Sequence, residues 1–279
     1  MNHVYKLRAD IPGCKEPEPT YAEEIEALHA ESVSVTPYVI TGGYYSHSGC
    51  LEYGLNEALK SLHDEDDALF LELGVFAGRT LSVISMIIDH YNKVNRPGTT
   101  TKVDGLDTFT GLPRDWQDMP DIQFDQVHFS AMGHFGVNSV SAAASSVYSF
   151  VSDVLSKASG GDSVNIVLHA ALIEESLPIL LESRPNSPIA FLHVDCDLGD
   201  TTLTSLELLR ERLIPGSVIV FDEAINFTNW SEKGEFAAWC EFSRKFSICY
   251  KWLSRAADAP IPEIYVLAEQ QVAVQIVSC

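Results

Sequence analysis

The feature that most restricts this chain is the alternation, from Ala68 to Phe246, of short continuous apolar runs with longer segments whose apolar residues recur at helical spacing. Ala68 to Leu73, Lys102 to Asp107, Ser163 to Leu168, Ile189 to Asp195 and Ser217 to Asp222 read as strands. Arg79 to Tyr91, Val137 to Ser159, Glu174 to Glu182, Thr201 to Leu213 and Glu232 to Phe246 read as helices; in the first of them Leu81, Ile84, Ile87 and Ile88 share one face. Strands that are apolar along their whole length are buried on both faces, and strands separated by helices pair in parallel. Three more strand candidates, Ile248 to Leu253, Ile264 to Ala268 and Val272 to Val277, have no helices between them and are expected to pair antiparallel at one edge. The expected fold is therefore α/β, a doubly wound, mostly parallel sheet with an antiparallel edge.

Ahead of this alternation, residues 1–66 read as an N-terminal arm and helical cap, with residues 67–279 as the main domain. Thr20 followed by Glu23 resembles a capping box that opens a helix from Tyr21 to Glu31. Pro37 to Ser46 reads as a loop, and Ser48 as the cap of a second helix carrying Leu51, Leu55, Leu59 and Leu62 on one side. Such a cap offers a homodimer contact or a lid. The 279 residues carry 39 acidic and 18 basic side chains, a net charge of -21, which repels phosphate backbones and anionic lipid heads, so neither nucleic acid nor membrane is an expected partner. No apolar run approaches the roughly 20 residues that span a bilayer. The six cysteines show no C-x-x-C spacing and no basic, apolar leader is present, which points to reduced thiols in a soluble cytoplasmic protein.

In open α/β sheets, ligands bind outside the carboxyl ends of the strands. Three motifs fall there. In Leu71-Glu-Leu-Gly-Val-Phe-Ala-Gly-Arg-Thr80, Gly74 permits a tight turn, Gly78 permits close approach of a ligand or a helix, and the following helix start offers free N–H groups. Phe76 and Arg79 stand where a dinucleotide fingerprint needs glycines, which argues against NAD or FAD. Glu72 instead fits a ligand with a cationic end, such as an amino-acid ammonium. In Gly105-Leu-Asp-Thr-Phe-Thr-Gly-Leu-Pro113, Asp107 ends a strand and can accept hydrogen bonds from two ribose hydroxyls or cap a turn.

The third motif is a pair of acidic strand ends, His193-Val-Asp-Cys-Asp197 and Val218-Ile-Val-Phe-Asp-Glu223. Asp195, Asp197, Asp222 and Glu223 are hard oxygen ligands of the kind Mg2+ or Ca2+ prefers, and an acid spared from the metal can serve as a general base. Asp200 or Thr201 is expected to cap the next helix. His193 reads as a buried, hydrogen-bonded strand residue, His169 as a pocket residue, Trp239 as core and Trp230 as a substrate wall.

Together with Trp116, Asn229-Trp230 and Gly234-Glu-Phe236, these motifs resemble the macrocin O-methyltransferase family of class I S-adenosylmethionine-dependent methyltransferases, over about Leu69 to Phe246. The resemblance implies a Rossmann-like, seven-stranded sheet. It also implies that Glu72 and Gly74 hold the methionine part of the cofactor and Asp107 its ribose, with Val75, Gly78, Arg79, Thr80, Thr108 and Ala170 completing the cofactor site. It further implies Mg2+ on Asp195, Asp222 and Glu223, with Asp197 as the base that deprotonates a small-molecule hydroxyl acceptor. The sequence departs from the family pattern at Glu223, where many members have aspartate, at Gly199-Asp200 and at Ala170-Ala171-Leu172. Two other readings stand beside this one. Asp195-Cys-Asp197 alone matches the D-x-D of metal-dependent nucleotide-sugar glycosyltransferases, and a non-catalytic S-adenosylmethionine-binding protein would share the glycine turn.

Overall fold

The computed structural model describes residues 38–41, 46–61, 67–116, 123–124, 127–128, 132–133, 140–158, 160–224, 232–257 and 271–279. The expected helix Tyr21 to Glu31, the strand Ile264 to Ala268, Leu62 and Trp230 lie outside them. In chain order the elements are β1 (Tyr38–Thr41), α1 (Ser46–Ser61), β2 (Leu69–Leu73), α2 (Arg79–Asn95), β3 (Thr101–Asp107), β4 (Gln123–Phe124), β5 (Val127–His128), α3 (Val140–Ala158), β6 (Val164–Ala170), α4 (Ile173–Ser183), β7 (Ile189–Val194), α5 (Gly199–Leu209), β8 (Val218–Phe221), α6 (Gly234–Phe246), β9 (Cys249–Ala257) and β10 (Val272–Ser278).

The main sheet has the order β1-β9-β10-β8-β7-β2-β3-β6. From β6 to β8 every pairing is parallel. β10 runs antiparallel to both its neighbours, so it is inserted between β8 and β9 rather than added outside them. These seven strands make the expected mostly parallel sheet with an antiparallel edge. An eighth, β1, extends it by pairing in parallel with β9. The Pro37 to Ser46 stretch is thus not wholly a loop: Tyr38-Val-Ile-Thr41 has the β-branched and aromatic composition that suits an edge strand. α1 already begins at Ser46, which puts Ser48 inside its first turn rather than at its cap. The long connection after β3 contains a small antiparallel pair, β4 and β5, that local periodicity did not predict.

One face of the sheet packs against α4, α5 and α6, through Leu177, Leu206 and Trp239 among others. The other packs against α1, α2 and α3, through Leu55, Ile84 and Val151. Each such fully buried aliphatic side chain contributes about 1.5–3 kcal/mol. Trp239 is core, as expected, stacked among Phe221, Phe242 and Tyr250 with ring centroids 5.0–5.8 Å away. The described cysteines are free thiols, with Cys50, Cys196 and Cys240 buried. Among the described residues no helix is long and apolar enough to cross a membrane.

Going out from β2, the chain steps to β3 and β6 on one side and to β7 and β8 on the other. Strand order therefore reverses between β2 and β7, and the crevice this creates opens at their carboxyl ends. All three motifs meet there.

Candidate active site

Gly74, just after β2, has φ +87°, and a Cβ on it would lie 1.8 Å from the carbonyl oxygen of Asp195. Only glycine lets the ends of β2 and β7 come this close. Gly78 has φ +80°, and its Cβ would lie 2.7 and 2.9 Å from Val147 and Val151 of α3. Of the two approaches open to Gly78, that of a helix is the one seen. α2 begins at Arg79 with no side-chain cap on its N-terminus. Val75 is buried, Thr80 half-buried and Arg79 exposed along this turn.

Asp107 holds the glycine turn from the next strand. Its Oδ2 accepts hydrogen bonds from Val75 N (2.7 Å) and Phe76 N (2.8 Å), and its Oδ1 accepts one from Phe109 N (2.6 Å). A carboxylate offers about four lone-pair sites, so about one remains for a ligand. Phe76 and Phe109 both adopt left-handed backbone, at φ 46° and 56°, and these bonds help to hold them there. Thr108 closes its own turn, accepting from Thr110 N and donating to Gly111 O. Ala170 pairs with Asp107 in register and is exposed.

Glu72 is fully buried on β2, in register with His193 on β7. His193 Nδ1 lies 3.1 Å from Glu72 Oε1, and Nε2 lies 3.4 Å from Asp222 Oδ1, an ion-pair distance rather than a well-formed hydrogen bond. Gln271, immediately before β10, donates from Nε2 to Asp222 Oδ1. A polar row thus crosses the strand ends from β10 through β8 and β7 to β2. Burial alone would lower the His193 pKa, but Asp222 and Glu72 on either side outweigh it and raise the value to about 9. Burial raises Glu72, offset in part by His193. Its Oε2 has no hydrogen-bond partner, an unpaired polar atom at 0% exposure.

Asp195 stands half-buried next along β7 and is pushed well above the ordinary carboxylate range, by burial first and then by Asp222, Asp197, Glu72 and Glu235. Among the described residues, the group whose ligand atoms all lie within 4.8 Å of one another is Glu72, His193 and Asp195, not the expected Asp195, Asp222 and Glu223. Both nitrogens of His193 already face carboxylates, and Mg2+ prefers oxygen, so Glu72 and His193 fit an ion-pair row better than a cage for that ion. Asp222 and Glu223 are buried on the adjoining strand end. The crowding of like charge fits a cationic occupant of either kind, a metal or a cationic ligand.

Glu235, in the first turn of α6, is a residue that sequence reasoning did not assign to the site. Its Oε1 accepts from Cys196 N and Asp197 N, both at 3.1 Å, and its Oε2 from Glu223 N at 3.3 Å. Burial, then the charges of Asp197 and Asp222, raise its pKa to about 8. A glutamate after glycine at a helix start reads as ordinary helix-dipole compensation, and Gly234-Glu-Phe236 was the only signal. Asp197 itself has φ 64° and is half-buried.

Two other expectations change. Neither Asp200 nor Thr201 caps α5: its N-cap is Leu198, with no side-chain cap bond. Both serve a clasp instead, in which Arg114 donates to Asp200 and to Thr201 Oγ1, and Thr201 donates to Glu174, tying the loop after β3 to two helix starts. Under this clasp Leu112, Trp116 and Leu198 pack together. His169 is bound through Nε2 to Asp104, which also pairs with Arg184, so its ring is anchored in a structural ion-pair group.

The family model described as "Methyltransferase domain" matches residues 71–224, more than half of the chain. No curated protein matches at a significant level. Among solved structures, the chain is similar to CalS11, calicheamicin methyltransferase, at 19% identity and TM-score 0.54, covering 98% of this chain and 90% of that one. It is also similar to the O-methyltransferase NovP, at 15% identity and TM-score 0.51, covering 81% of this chain and 79% of that one. At these identities the likeness is one of fold.

Proposed function

Because the chain belongs to the methyltransferase-domain family and is an S-adenosylmethionine-dependent enzyme of class I fold, we propose that it methylates a hydroxyl of a small molecule, a sugar or other natural-product intermediate. Within the family we place it beside the macrocin O-methyltransferases, on the motifs from Glu72 to Phe236. Membership leaves no place for the glycosyltransferase reading of Asp195-Cys-Asp197. The calicheamicin methyltransferase activity named for CalS11 and the O-methyl chemistry named for NovP support a natural-product hydroxyl.

The observation that carries this reading is the unpartnered Oε2 of Glu72, buried at the crevice beside the glycine turn. An unpaired buried carboxylate oxygen is costly unless a ligand satisfies it, and an amino-acid ammonium is a fitting partner. S-adenosylmethionine carries that ammonium and supplies an electrophilic methyl group on its sulfonium sulfur. Glu72 and Gly74 would hold its methionine part and Asp107, through its remaining acceptor site, its ribose. Val75, Gly78, Arg79, Thr80, Thr108 and Ala170 would complete the cofactor site.

Asp195, Asp222 and Glu223 would hold Mg2+, whose charge lowers the pKa of an acceptor hydroxyl bound beside it. Asp197 accepts the hydroxyl proton, so that the oxygen is free to take the methyl group. Asp197 stands at the left-handed turn that follows β7. The acids also hold the acceptor in place, and positioning supplies much of the rate.

Titration calorimetry tests the cofactor assignment: Glu72→Gln should weaken S-adenosylmethionine binding roughly 30-fold or more, as loss of a buried charge partner does. Equal affinity in the variant would overturn it. For the base, Asp197→Asn should lower methyl transfer to acceptors bearing adjacent hydroxyls by roughly 10²–10⁴ with cofactor affinity unchanged.

A further inference from the structure

Two strand ends carry the acids of the site, and strand pairing joins them only as far as the last ladder bond. That bond runs from Asp222 N to Val194 O at 2.9 Å. Past it, the backbone turns away at Cys196 and Asp197 on one side and at Glu223 on the other. Those turns leave three N–H groups with no strand to receive them. Glu235 receives all three, with Oε1 on Cys196 N and Asp197 N at 3.1 Å and Oε2 on Glu223 N at 3.3 Å. The side chain is 0% exposed, and it reaches the site from a third element, α6.

The approach of α6 depends on two glycines. Gly234, its first residue, has φ +81°. A Cβ on Gly199, at the start of α5, would lie 2.8–3.0 Å from the backbone O, C and Cα of Gly234. Two helix starts meet here backbone to backbone, and this contact brings Glu235 beneath the turn. Gly199 is also one of the places where the sequence leaves the family pattern, and its bare Cα is needed for this packing.

Resting on the roles given above to Asp197 and Glu223, we infer that Glu235 is a positioning residue that locks the base-bearing turn after β7 to the metal-bearing turn after β8 as one rigid unit. Its two oxygens are taken up by the N–H groups of these turns, so it acts through them. It acts by spanning two loops with one carboxyl group, both of whose oxygens can accept an N–H whether or not the group carries a proton, which an amide cannot do: the oxygen of a glutamine can serve Cys196 and Asp197, but its NH2 would then face the N–H of Glu223, donor against donor. The cofactor turn has a brace of its own in Asp107.

The test uses the 279-residue protein, with Mn2+ as the metal probe read by electron paramagnetic resonance, S-adenosylmethionine by calorimetry, and backbone amide exchange by NMR. Glu235→Gln is expected to bind Mn2+ at least tenfold more weakly, to bind S-adenosylmethionine within twofold of the unsubstituted protein, and to exchange the Glu223 amide at least tenfold faster. Glu235→Asp, whose carboxylate is one methylene shorter, should release at least one of the two turns in the same assay. Unchanged Mn2+ affinity together with unchanged exchange at Cys196, Asp197 and Glu223 overturns the inference, as does an equal loss of both ligands, which would mark a general structural role. If neither variant folds, the unsubstituted protein decides: the three amides must exchange as slowly as those of Val194 and Phe221, and free-peptide rates refute the lock. An unsubstituted protein that binds no Mn2+ overturns the metal reading and with it the Glu223 half, while exchange at Cys196 and Asp197 still judges the other half.

Discussion

Asp107→Asn separates two roles that one carboxylate can hold, bracing the glycine turn and binding the ribose. In the ligand-free protein Asp107 accepts from Val75 N, Phe76 N and Phe109 N at 2.6–2.8 Å. Asparagine keeps one oxygen. If that oxygen serves Val75 and Phe76, the bond to Phe109 is lost and an NH2 is set against its N–H, while the two remaining bonds lose their charge assistance. A hydrogen bond to a charged group contributes about 1.5–3 kcal/mol and a neutral one about 1 kcal/mol, so the change should cost about 3 kcal/mol after allowance for the partial exposure of the site. For a chain of this size that lowers Tm by roughly 5–10 °C. Differential scanning calorimetry without ligand reads the bracing role, and titration with S-adenosylmethionine reads the second. A Tm within a degree or two of the unsubstituted protein, combined with lost cofactor affinity, would refute the claim that Asp107 supports the turn, and leave it a ligand contact alone.

Stability of the ligand-free protein should fall as pH rises from about 6.5 to 9. Glu235, raised from 4.5 to about 8, and His193, raised from 6.5 to about 9, both hold their protons more tightly when folded. The contribution of His193 is complete below 6.5 and lost as pH passes 9, and that of Glu235 is complete below 4.5 and lost as pH passes 8. Thermal melts across this window should show a continuous drop in Tm; a flat or rising profile would contradict the pairing of His193 with its two carboxylates and the burial of Glu235. Gly199→Ala sets a Cβ against the Gly234 backbone at 2.8–3.0 Å, and since backbone cannot swing aside it should cost about 1–3 kcal/mol, read as a lower denaturant midpoint with unchanged slope.

Much of the fold is legible in the sequence because its cause is local. A strand buried on both faces is apolar at every position, as Phe191-Leu192 and Val218-Ile-Val-Phe221 are, and a helix on such a sheet repeats its apolar face. Observed element bounds accordingly differ from the expected ones by a few residues at most, as with α3 at Val140–Ala158 and β6 at Val164–Ala170. Edge pairing is not local. β1 was legible only as a loop, since its partner β9 lies more than 200 residues away and supplies the ladder that makes Tyr38–Thr41 a strand.

The sequence by itself determined the alternating α/β order, the glycine turn after β2 and the presence of acids at the ends of β2, β3, β7 and β8. Tertiary structure decided what those acids do to one another. The register that sets Glu72 beside His193, with Asp222 diagonal to it, makes a buried imidazole into the counter-charge between two carboxylates. The packing of α6 on α5 brings Glu235 to Asp197 across 38 residues and to Glu223 across 12. Each residue type is written in the chain, but a carboxylate becomes a base, a brace or a cation's partner only through the charges and N–H groups that other strands and helices place against it.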